Sequence, residues 1–73
     1  MKLEIFKSPS ADHKHLFADG ECLGKFKRNA GRPWFFYWTI SREINFSERS
    51  LKEVDRFVED AITSLNITAR LTA

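Results

Sequence analysis

Lys25-Phe26-Lys27-Arg28 and Arg32-Pro33-Trp34-Phe35-Phe36-Tyr37-Trp38-Thr39-Ile40 flank a short turn, and their reading decides the fold. Residues 34–38 are five consecutive aromatics, and residues 22–42 hold five basic side chains and no acidic one. Successive side chains on a strand point to opposite faces, so five aromatics in a row cannot all enter one core. Pairing the two stretches as antiparallel strands opposes Arg28/Trp34, Lys27/Phe35, Phe26/Phe36, Lys25/Tyr37, Gly24/Trp38, Leu23/Thr39 and Cys22/Ile40. One face then gathers Phe26, Phe36, Trp38, Cys22 and Ile40, with Gly24 leaving room for the Trp38 indole. The other gathers Lys25, Lys27, Phe35, Tyr37, Leu23 and Thr39. A one-residue slip would exchange the faces, and no other register keeps both lysines out while holding Phe26, Phe36 and Trp38 together.

Working towards the amino terminus, Asp19-Gly20 is a two-residue hairpin signal between apolar runs. Extending that hairpin places Phe17 opposite Cys22 in the core and Leu16 opposite Leu23 on the open face. Lys2-Leu3-Glu4-Ile5-Phe6 alternates as a further strand with Leu3 and Ile5 on one side, and Ser8-Pro9-Ser10-Ala11-Asp12 ends it. Strands are expected over about 2–6, 15–18, 21–28 and 34–41.

Towards the carboxy terminus, Ser50-Leu51-Lys52-Glu53 has the spacing of a capping box. Leu51, Val54, Val58, Ala61 and Leu65, with Phe57 and Ile62 beside them, form one apolar helical stripe. A helix over about 51–65 is expected, with Asn66 as its left-handed stop. Residues 67–71 alternate and read either as a short terminal strand or as a frayed tail. The expected architecture is α+β: one domain, a three- to four-stranded antiparallel β-meander with one carboxy-terminal α-helix packed on one face.

The chain has 73 residues, near the lower end of what a single core sustains, although 14% aromatics offset the small size. Stabilisation by a partner or by forming a homodimer is compatible with that size. Cys22 is the single cysteine, so no internal disulfide and no Cys/His zinc spacing arises. No apolar run has membrane-spanning length and no signal-peptide pattern is present, so a cytoplasmic protein without membrane association is expected. Asn45-Phe46-Ser47 and Asn66-Ile67-Thr68 match the glycosylation pattern and are read as chance matches. Charge is polarised: residues 1–42 carry eight basic and four acidic side chains, whereas residues 43–66 carry three basic and six acidic. A basic sheet and an acidic helix give a two-sided domain.

The strand order, Asp19-Gly20-Glu21-Cys22-Leu23-Gly24, then the Trp-rich strand, then Ser50-Leu51-Lys52-Glu53-Val54, resembles the DNA-binding domains of the AP2 and integrase amino-terminal type. That resemblance implies a sheet face read against the major groove. The arginine-rich first strand of the family is missing here, where Lys2-Leu3-Glu4 stands.

The leading functional reading is a small accessory protein that binds nucleic acid through Lys25, Lys27, Arg28, Arg32, Phe35 and Tyr37. The four cations would contact phosphates and the two rings would stack. Neutralising four phosphates on duplex DNA implies a log–log salt slope of about −3.6. The alternative is a small inhibitor or adaptor, of the kind carried by phages and mobile elements, that uses the same face on a host protein, since aromatics and Arg dominate interface hot spots. A plain structural alternative buries Phe35 and Tyr37 under a terminal segment. The acidic helix face (Glu48, Asp55, Glu59) reads as solvated surface. Neither catalytic residues nor a cofactor are expected: His13-Lys14-His15, with Asp12 and Cys22 nearby, lacks a third metal ligand at defined spacing, and no nucleophile–base order or phosphate-cradling glycine loop occurs.

Overall fold

Asp19 and Gly20 both adopt positive φ, 49° and 85°, as a two-residue hairpin turn matched to strand twist requires. The turn also ties down the amino terminus: the Lys2 N–H donates to Asp19 Oδ1 and the Asp19 N–H to the Lys2 carbonyl, both at 2.9 Å. A computed structural model describes residues 1–9, 12–42 and 46–72, with side chains as far as Ile67. Ser10 and Ala11 of the first turn, and Asn45 of one acceptor pattern, lie outside the described residues.

Four strands, β1 (Leu3–Lys7), β2 (His13–Ala18), β3 (Glu21–Lys27) and β4 (Phe35–Trp38), form one antiparallel sheet in the order β1-β2-β3-β4. One carboxy-terminal helix, α1 (Glu48–Thr72), packs on one face of this meander. The β3–β4 register is the expected one, Gly24 with Trp38, Lys25 with Tyr37, Phe26 with Phe36 and Lys27 with Phe35. Among the described residues no helix is long and apolar enough to cross a membrane.

The β2–β3 pair departs from the expected faces. Phe17 does oppose Cys22, but Leu16 opposes Gly24 rather than Leu23, because the ladder is interrupted between Leu16 and Phe17. Leu23 is the extra residue of a β-bulge. Leu16 and Leu23 are therefore fully buried in the core, while Cys22 and Phe17 move to the opposite face with Lys25 and Tyr37. Phe17 still packs edge-on against Phe6, ring centroids 5.2 Å apart.

The core joins Leu16, Ala18, Leu23, Phe26 and Trp34 of the sheet region to Val54 and Val58 of α1. Phe26 stacks at a tilt on Phe36, centroids 4.9 Å apart, and Phe36 meets Trp38 edge-on at 5.7 Å. Gly24 makes this possible in a way the sequence did not indicate. A Cβ there would strike the Tyr37 carbonyl oxygen and approach Phe36 Cζ to 2.6 Å, so the vacated space serves β4 backbone and the Phe36 ring rather than the Trp38 indole.

The helix begins one turn before the capping-box reading. Ser47 is the N-cap: its Oγ accepts the Ser50 N–H at 3.3 Å, and its carbonyl accepts the Leu51 N–H at 2.9 Å. Glu48 then sits in the first turn, where a carboxylate complements the helix dipole. At the other end α1 runs past Asn66 and through the segment considered as a strand. Asn66 is not a stop. Its Oδ1 accepts the Trp34 N–H at 2.8 Å, which clips the helix to the start of β4.

Gly24→Ala is expected to destabilise the domain by about 1–3 kcal/mol through overpacking, measured by urea unfolding. A loss under about 0.5 kcal/mol would show that β3 and β4 do not approach this closely.

Candidate nucleic-acid interface

The face of the sheet turned away from α1 is built by the two-residue period of four strands. Reading across from β4 to β1, one row is Tyr37, Lys25, His15 and Phe6. A second is Phe35, Lys27 and His13, and a third, towards the Asp19-Gly20 turn, is Cys22, Phe17 and Glu4. Each exposed ring of β4 stands directly across from a lysine of β3. Phe35 and Tyr37 are 43% and 38% exposed, so no described segment covers them. Their ring centroids lie 6.0 Å apart at an interplanar angle of 33°, a tilted pair one strand period apart.

Four of the six expected site residues therefore come together: Lys25, Lys27, Phe35 and Tyr37. Arg32 is exposed in the β3–β4 turn at the end of the face, where its N–H closes the turn on the Asn29 carbonyl at 3.0 Å. Arg28 does not join them. Being one residue past Lys27, it turns to the helix side, where its guanidinium lies 5.1 Å from the centre of the buried Trp34 ring, with Lys14 Nζ at 5.7 Å from the same ring. A cation held on an indole gains about 0.5–2 kcal/mol, and both side chains are directed to the fold rather than to the open face.

The structure adds Phe6, Phe17, His13, His15 and Cys22 to the open face and removes Leu16 and Leu23 from it. The alternation of His13, His15 and Phe17 was a signal for three of these, since residues two apart share a face. Placing that face beside Lys25 and Lys27 required the bulge. Phe6, 49% exposed, joins Phe35 and Tyr37 as the large exposed apolar side chains of the sheet. The acidic side chain of the face is Glu4, at its β1 corner, 3.7 Å from Lys2 Nζ. The field over the rows containing Lys25 and Lys27 is thus positive, and the helix acids lie on the far side.

Among the described residues no three His, Cys, Asp or Glu side chains are grouped to hold a metal ion. A groove of about 490 Å³ runs between β4 and α1, lined by Trp34, Phe35, Phe36, Trp38, Val58 and Ile62. Arg42 lies along it, paired with Asp55 at 2.8 Å and placed 5.2 Å over the Trp38 ring. That wall is occupied by its own ion pair. Comparison with known protein families, with curated proteins and with solved structures finds no match.

Phe26→Ala should cost about 3–5 kcal/mol, whereas Phe35→Ala should cost less than about 1 kcal/mol. Thermal or urea unfolding of the two variants reads the difference directly. Comparable losses would mean that the face of the sheet carrying Phe35 is covered as well.

Proposed function

We propose that this protein is a small non-enzymatic nucleic-acid-binding domain, and that the open sheet face is its binding surface. Lys25, Lys27 and Arg32 neutralise phosphates, while Phe35 and Tyr37 supply rings for stacking. The observation that carries this reading is the pairing of each exposed ring with a lysine one strand away. A polyanion with flat bases satisfies both halves of that pattern, charge through the ammonium groups and apolar area through the rings. An uncovered patch of Phe6, Phe35 and Tyr37 is otherwise an unfavourable thing for a monomer to expose.

The same patch supports a second reading, a protein interface in which the rings act as anchors and the lysines form a rim. The two differ in which substitution matters more. With nucleic acid as ligand, Lys27→Glu weakens binding more than Phe35→Ala, and affinity falls with salt. Three cations imply a log–log slope of about −2 on a single strand and about −2.7 on duplex DNA. This is shallower than four cations would give, because Arg28 is held on Trp34. Fluorescence anisotropy of a labelled oligonucleotide across a salt series measures both quantities. A salt-independent affinity, or a larger effect of Phe35→Ala than of Lys27→Glu, would favour the protein interface instead.

A further inference from the structure

We infer that the ligand of the open face is single-stranded nucleic acid, laid across the strands from β4 towards β1, and not a duplex groove. This inference rests on the nucleic-acid reading above and specifies the ligand class. Three observations carry it.

The first is width. The sheet has four strands. At about 4.8 Å between neighbours the outer strand axes are about 14 Å apart before side chains are added. The major groove is about 12 Å wide and admits a helix or a two-stranded ribbon. A plate of this width rests on a duplex without entering it.

The second is chemistry. Base edges in the major groove are read chiefly by Arg or Lys on guanine and by Asn or Gln on adenine, with Asp or Glu on cytosine. The outward side chains of the four strands are Glu4, Phe6, His13, His15, Phe17, Cys22, Lys25, Lys27, Phe35 and Tyr37. They include no Arg, Asn or Gln. Lys25 and Lys27 lack the planar fork of Arg, and the rest of the set is dominated by flat rings.

The third is the accessibility of those rings. Phe35 and Tyr37 offer π-surface to solvent, and a base can stack on it only when it is out of the double helix. Beyond Lys25 and Lys27, the imidazoles of His13 and His15 and then the ring of Phe6 continue the same rows. A flexible strand can follow this sequence of ring, cation and ring, setting its phosphates over the lysines and its bases over the rings. A rigid duplex reaches the cations but not the π-faces.

The test is fluorescence anisotropy with one labelled 20-nucleotide strand of mixed sequence, used alone and annealed to its complement, at low salt. Tighter binding of the single strand by about tenfold or more is expected. Phe35→Ala and Tyr37→Ala should each weaken single-strand binding about tenfold while leaving duplex binding unchanged, with circular dichroism confirming that both variants are folded. Equal or tighter binding of the duplex, or single-strand binding indifferent to both ring substitutions, would overturn this inference and leave standing only nucleic-acid binding through Lys25, Lys27 and Arg32. No binding of either form at low salt would overturn both.

Discussion

The β2–β3 ladder passes from Leu16 opposite Gly24 to Phe17 opposite Cys22, which makes Leu23 an extra residue, and the side chains on either side of that bulge depend on it. Without it, the two-residue period carried from the β3–β4 pair would send Leu16 and Leu23 to water and bring Phe17 and Cys22 into the core. With it, the two leucines are fully buried and β2 shows His13, His15 and Phe17 in line with Lys25 and Lys27. Core and open face are set by the same insertion. Gly24 adds a second constraint at the same place, since the close approach of the Tyr37 backbone and the Phe36 ring tolerates no Cβ.

The helix side is closed by a different device. Trp34 sits just before β4, buried, with its N–H held by Asn66 of α1 and its ring under Arg28 and Lys14. Lys14 and Arg28, both on the helix side by strand parity, are thus used where the sheet meets the helix. Arg42 repeats the arrangement over Trp38 while pairing with Asp55. The polarity along the chain, basic early and acidic late, becomes a division between faces. The lysines at positions 25 and 27 point to solvent on one side, and the helix carboxylates lie on the other, partly matched by arginine.

The β3–β4 faces were legible because Lys25 and Lys27 alternate with Phe26, and the pairing followed from the five-residue turn between Arg28 and Trp34. The β2–β3 faces were not legible, since Leu16-Phe17 and Cys22-Leu23 are apolar at both positions and the period offers no choice between them. A glycine beside the pair, Gly24, was the available signal for a bulge. The Ser50–Glu53 spacing placed the helix start at Ser50. The observed helix uses Ser47, which gains a first turn containing Glu48. Asn66 has the composition of a helix stop, and its tertiary bond to the Trp34 amide is invisible to local pattern. Of the site, Lys25, Lys27, Phe35 and Tyr37 were read from alternation alone. Arg28 was grouped with them by sequence proximity, although its parity placed it on the other side.

The most direct measurement is the amide and side-chain chemical-shift map of the labelled protein titrated with an unlabelled single-stranded oligonucleotide. The expected perturbations fall on Lys25, Lys27, Phe35 and Tyr37 and extend through His13 and His15 to Phe6, with α1 unaffected. Perturbations confined to α1 or to the groove beside Trp38 and Arg42 would contradict the open face as the binding surface.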